Sequence, residues 1–366
     1  LHFEMRVTAR DGSKLQKQLF SGKGRTPREF ANLLPANSYF AFASASDPML
    51  GAETLDDSLS TLKDALKLDQ AAYDALLADL KQVAKLQDGN SAMALYPDGQ
   101  AALGAMAVAG ATDGEAALKL TKRVLGTIFA KLIENEMAGN KDAGKDGGPD
   151  LAAVKQAVTE MKLQPMVDKF GPLAAEKGVT ITLNTSKDGD ATCDTIDFKF
   201  DYAKLEAGSD EPMVKAVLGD KSALALCTTK TKLSIGAGPS ALENAKRAVL
   251  GKAAGLGDAP VYKAASAKQP NASWQMYLNP GAAMTAFAAL MPNMPKISGD
   301  KAVVAGCQTR KVSLGCQLEL PVDMLVEVKN AAGPMMAPDA PGEAPNGDAP
   351  AAPNAPVGGG DEVLGK

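Results

Sequence analysis

The sequence predicts an α+β protein of two similar halves, each a mainly antiparallel sheet covered by helices on one face. Three observations point there. First, the stretch Leu34 to Asp47 (LPANSYFAFASASD) is echoed at Gln269 to Asn279 (QPNASWQMYLN). Each copy reads Pro, two residues, Ser, an aromatic, then alternating apolar positions and an Asp-Pro or Asn-Pro before a helical run. Second, Gly89 to Gly104 resembles Gly299 to Gly315, each reading as strand, polar turn, strand. Two matched blocks in the same order are the signature of an internal repeat. Third, segments with a two-residue apolar period alternate with segments of helical period along most of the chain.

The elements follow in order. His2, Glu4 and Arg6 alternate with Phe3, Met5 and Val7 and predict a strand that ends at Asp11-Gly12. Pro35 disfavours helix before it and leads into a strand in which Tyr39, Ala41 and Ala43 alternate with Phe40 and Phe42. Both faces are apolar, which predicts a central strand. Leu55, Leu59, Leu62 and Leu66 form a helical stripe, and Asp69 is the expected N-cap of a second helix that turns Tyr73, Leu76, Leu77, Leu80 and Val83 inward. A hairpin over 91–110 turns at Pro97-Asp98-Gly99, where Pro presets φ and Gly accepts a positive value. Asp113 then caps an amphipathic helix through Ile133.

Residues 1–136 make the first half. The segment 137–150 (MAGNKDAGKDGGPD) is glycine-rich and aperiodic and is expected to be a flexible linker or loop. The second half, 151–332, opens with a helix that stops before Pro165 and a shorter one ending near Gly178. Val179 to Leu183 and Thr192 to Tyr202 predict a hairpin around Lys187-Asp188-Gly189. Two short strands follow between Ser222 and Ile235, then a helix from Ala241, the second copy of the strand, its helix and the second hairpin. Residues 333–366 are rich in Pro, Gly, Ala and acids with no aromatic, so a disordered tail is expected.

At 366 residues, with 45% hydrophobic and 22% charged residues and a net charge of −4, the composition is globular. Basic and acidic residues are interspersed, which gives no broad attraction to nucleic acid. No apolar run is long enough for a transmembrane helix. The chain opens on Leu1 inside a strand pattern, so a processed or truncated N-terminus is expected, and any signal segment or membrane tether would lie in the missing part.

The chemistry-bearing residues are few. His2 is the one histidine, which removes a Ser-His-Asp triad and a multi-histidine metal site from consideration. Gly236-Ala-Gly238-Pro-Ser-Ala241 matches a dinucleotide fingerprint in letters, but Ser240 and Glu243 make a capping box that explains the same residues as a helix start. Asn140, Asp142, Gly144 and Asp146 have calcium-loop spacing, yet Lys145 stands where the loop needs Gly and Leu151 where it needs Glu. Neither a cofactor nor a metal is expected. Cys193, Cys227, Cys307 and Cys316 are candidate disulfide cysteines with no C-x-x-C pair, and the three pairings stay open. A turn at Thr309-Arg310-Lys311 would not set Cys307 directly opposite Cys316. Trp274, Met284, Phe287, Met291 and Met294 form a soft apolar set that could make a ligand or partner surface, although core packing is the preferred reading. Asn184 and Asn271 begin glycosylation sequons by pattern alone.

The LPANSYFAF stretch, the helix pair after it, GAGPSALENAKRAVL and the passage from Ala259 to Tyr277 resemble a family of uncharacterised bacterial envelope proteins known only as a domain of unknown function. The resemblance spans about residues 29–330. It implies export to the periplasm or cell surface, often with a membrane anchor, and supplies no catalytic residues.

The function expected from all this is a non-catalytic extracytoplasmic binding or scaffold module of a cell envelope. Its partner would be another envelope protein or a hydrophobic ligand. One alternative is a carrier of a lipid-like ligand in a cleft between sheet and helices. The other is a hydrolase that works without histidine.

Overall fold

A computed structural model gives the fold and describes residues 1–8, 10, 12–13, 28–45, 59, 61–99, 101–139, 164–205, 211–251, 255–269, 272–288, 297–310 and 313–336. The chain in order forms β1 (His2–Thr8), α1 (Arg28–Ala31), β2 (Phe40–Ala45), α2 (Gln70–Lys85), β3 (Gln87–Asp98), β4 (Ala101–Ala111) and α3 (Gly114–Gly139). It continues with α4 (Gln164–Glu176), β5 (Val179–Asp188), β6 (Ala191–Phe200), α5 (Glu211–Leu218), β7 (Lys221–Thr228), β8 (Lys232–Gly238) and α6 (Ala241–Leu250). A 3-10 turn (Leu256–Asp258), α7 (Pro260–Ser266), β9 (Trp274–Leu278), α8 (Pro280–Phe287), β10 (Val303–Arg310), β11 (Ser313–Glu319) and α9 (Val322–Met336) complete it.

The α+β class holds, but the strands form one antiparallel sheet of 11 strands in the order β1-β11-β10-β9-β2-β3-β4-β8-β7-β6-β5. The described residues form this one sheet and not two half-sheets. Strands from the two predicted halves interleave, with β1 beside β11 and β8 beside β4. As its apolar faces require, β2 is central, flanked by β3 and β9.

Helices cover both faces of the sheet, and the alternation of β2 decides what each face carries. Ala41 and Ala43 point to one face with Ala92, Ala94, Tyr96, Met106, Val108, Tyr277 and Val304. This alanine face is covered by Ala31 of α1, Leu34, Ala248 of α6, Leu256 and Tyr262 of α7. Along the same face Ala241, Ala245 and Val249 of α6 press on Ala223, Ala225 and the Cys193–Cys227 pair. Small side chains let helix and sheet approach closely: a Cβ on Gly236 would lie 2.6 Å from the Ala241 carbonyl oxygen. On the opposite, phenylalanine face, α3 covers β4, β7 and β8 through Ala117 and Leu118, which pack on Ala111, Leu226 and Leu233. Met324 of α9 packs there against Ile297 and Val303.

The predicted N-caps form: Asp69 accepts from the Ala72 N–H at 2.8 Å and Asp113 from the Ala116 N–H at 3.1 Å. Several boundaries move. The helix expected to end at Ile133 runs on to Gly139, so residues 137–139 are helical and only 140–150 of the predicted linker lie outside the described residues. Likewise α9 continues through Met336, which makes the first four residues of the predicted tail helical. Pro165 sits in the first turn of α4, where its missing N–H costs no hydrogen bond. The helix predicted over 151–163 and the calcium-like spacing at 140–146 lie outside the described residues.

The residue-level echo does not survive. Tyr39 precedes β2 and by alternation belongs to the alanine face, whereas Trp274 opens β9, lies directly opposite Ser44 and shares the phenylalanine face. The two aromatics differ by one step in register, and one step reverses the side of the sheet.

Candidate functional site

Successive cross-strand partners on the phenylalanine face make an apolar ladder: Ile235 opposite Ala107, Ala107 opposite Met93, Met93 opposite Phe42, and Phe42 opposite Met276. Above it lie α2 and α3, which are held chiefly to each other. Tyr73, Leu76, Leu77 and Val124 form a core of their own with Leu66 and Leu68. Arg123 donates from Nε to Asp79 at 2.6 Å and also pairs through its second nitrogen, tying the two helices together; the carboxylate raises the pKa of the guanidinium further. Lys122 pairs with Asp194 of β6 and fastens α3 to the sheet.

Where the sheet carries only Ala107 and Ala109, the helices do not reach it. An apolar cleft of about 420 Å³ opens there. Its floor is Phe42, Ser91, Met93, Ala107, Ala109, Leu233 and Ile235; its roof is Leu80 and Val83 of α2 with Thr121, Val124 and Leu125 of α3. Of the lining side chains only Gln87, Ser91 and Thr121 are polar and none is charged. Met93 is 43% exposed and marks the mouth. Such a space suits apolar matter, with three neutral groups to orient it.

Two other cavities differ in kind. One of about 540 Å³ is bounded by the segment before β2, the β3–β4 turn, α7 and α8. Its amides are engaged by the fold: Asn37 donates to the Pro97 carbonyl at 2.8 Å, and Asn279 donates to the Gly299 carbonyl while capping α8 through the Ala282 N–H. The other, of about 180 Å³, is a small polar hollow whose lining includes Glu4, Arg6, Lys268 and Gln269.

The apolar set predicted from sequence is dispersed. Trp274 is half-buried with its ring 5.9 Å from that of Phe42, so it adjoins the cleft without lining it. Met284 joins the small core of Ile297, Val303 and Met324, and Phe287 meets Tyr39 edge-on at 5.9 Å. Met291 and Met294 lie outside the described residues. The cleft residues themselves went unread as a set. Leu80 and Val83 were legible as inward helical positions, but alanines opposite them signal close packing as readily as a gap.

The cysteines form Cys193–Cys227 and Cys307–Cys316, both between adjacent strands with directly opposed residues. Cα separations of 4.1 and 4.0 Å fit the closely spaced type of antiparallel pair. The expected turn at Thr309 to Lys311 was misplaced: Arg310 pairs with Ser313, which brings Cys307 opposite Cys316. The glycine fingerprint is structural too. Its strand, β8, is antiparallel to both neighbours, and Ser240 makes no side-chain cap; instead Asp98 accepts from its backbone N–H. Among the described residues no group of three His, Cys, Asp or Glu could hold a metal, and no helix is long and apolar enough to cross a membrane.

No known protein family, no curated protein and no solved structure matches the chain.

Proposed function

We propose that this chain is a non-catalytic extracytoplasmic binding module that holds an apolar, lipid-like ligand between the phenylalanine face and the α2–α3 pair. The cleft over Ala107 and Ala109 carries the proposal, because it is apolar, uncharged and open beside Met93. Burying an alkyl chain there is favourable by about 0.8 kcal/mol per methylene. An oxidising compartment is supported by two disulfides that tie neighbouring strands. Titration with a fluorescent fatty acid tests the reading: saturable binding that an unlabelled saturated fatty acid displaces supports it, and the absence of saturable binding sinks it.

The same reading takes the site as one product of an internal duplication at the level of elements. A strand, a helix, a hairpin and a further helix on the phenylalanine face recur as β2-α2-β3-β4-α3 and β9-α8-β10-β11-α9. The strand order outward from β2, through β3 and β4 to β8, mirrors that from β9, through β10 and β11 to β1.

A further inference from the structure

Exposed apolar side chains are unevenly placed on this protein. Of the twelve large ones among the described residues, seven belong to the start of the chain or to α9. Leu1, Phe3 and Met5 are each more than half exposed, and Val322 and Val326 are 52% and 50% exposed. The two groups adjoin, since Leu1 and Leu320 exchange backbone hydrogen bonds just before α9 begins. Beside them β1 ends the sheet, pairing with β11 on one side and with no described strand on the other.

The opposite flank of the molecule shows what this arrangement accommodates. There β8 holds the place in the strand order that β1 holds here, and α3 the place of α9. The outer edge of β8 carries β7, antiparallel, whose Leu226 fills the space beside Leu118 of α3 and Leu233. An antiparallel strand with apolar residues on the phenylalanine face therefore closes that edge. β1 itself meets the description: Phe3, Met5 and Val7 lie on that face, while Glu4 and Arg6 lie on the other.

We propose that β1 is a dimerisation edge, where a second copy of this chain adds its own β1 antiparallel across a two-fold axis at Met5. In that register Met5 faces Met5 of the second copy and Phe3 faces Val7. Glu4 faces Arg6 twice, so charges of opposite sign are directly opposed. Directly opposed residues of an antiparallel pair share a face, so both apolar groups meet on one side. The backbone groups of His2 to Thr8 gain partners, the common fate of an unprotected edge. Such an interface is isologous and closes at two copies.

Sedimentation equilibrium of the full chain tests this, with Glu4→Arg, Arg6→Glu and the double exchange beside it. The expected result is a dimer that either single change weakens by about tenfold or more, through opposed like charges, and that the exchange restores. Equal melting temperatures at a concentration where all are monomeric show that the variants fold. A wild-type chain that stays monomeric throughout, or a dimer indifferent to both single changes, overturns the proposal. A dimer weakened by each single change but not restored by the exchange overturns the register at Met5.

Discussion

Asp98, at the end of β3, accepts a hydrogen bond at 2.7 Å from the backbone N–H of Ser240, 142 residues away. The carboxylate lies at the start of α6, where the positive end of the helix dipole favours it. Its oxygen lies 2.7 Å from where a Cβ on Gly238 would stand, at a φ of +124° that side chains rarely adopt. Asp98 is buried, so Asp98→Ala leaves the N–H unpaired in the interior and should cost about 1–3 kcal/mol by urea unfolding. Asp98→Asn, which keeps an acceptor, should cost less.

The disulfides should contribute unequally. Cys193–Cys227 closes 34 residues and Cys307–Cys316 closes 9. If both act by limiting the freedom of the unfolded chain, replacing the first pair by alanines costs roughly 1 kcal/mol more than replacing the second. Denaturant midpoints of the two double variants, measured without reductant, give the comparison.

Ala107→Phe should fill the cleft. The added ring projects from the floor toward Val124 and Leu125, and binding of the fluorescent fatty acid should fall by about tenfold or more while the fold is kept. Unchanged binding in a folded variant would place the ligand elsewhere.

Trp274 is partly buried, so its emission should lie between those of a core and a free indole, and acrylamide should quench it only in part. Removing it should cost about 1–2 kcal/mol, the lost contact with Phe42 included, and less than the roughly 3–5 expected of a fully buried ring. Phe42 lines the cleft, so occupancy should also change the emission.

Glu327 of α9 accepts from the Ser298 N–H at 2.8 Å and pairs with Lys301 at 3.1 Å, and these bonds hold its pKa below the ordinary carboxylate value. A depressed carboxylate contributes stability that is present above its unfolded pKa and disappears as the pH falls through the folded value. Thermal unfolding between neutral and acid pH should therefore show a loss that Glu327→Gln lessens.

Much of the fold was legible because it rests on local rules. Asp69 and Asp113 read as caps, Lys187-Asp188-Gly189 as a hairpin, and β2 as central from its two apolar faces. What escaped depends on register. Tyr39 and Trp274 share a motif in letters but face opposite sides, since one residue of slip costs nothing in pattern and everything in orientation. A turn misplaced at Thr309 hid the Cys307–Cys316 pair. Ser240 and Glu243 spell a capping box, yet a distant carboxylate took the N–H. The cleft is the hardest case: Ala107 and Ala109 look alike under a tight helix or under an empty one, and only the height of α2 and α3 above the sheet separates them.

Because β1 pairs with β11, the first strand of the chain finds its neighbour only after residue 313 exists. At the centre of the sheet the delay is partial, since β2 has β3 on one side but gains β9 on the other only from residue 274. Ordering so long a loop before any pairing compensates for it makes folding slow and leaves early strands uncovered. During synthesis β2 to β8 can pair among themselves, while β1 stays uncovered until β11 has been made.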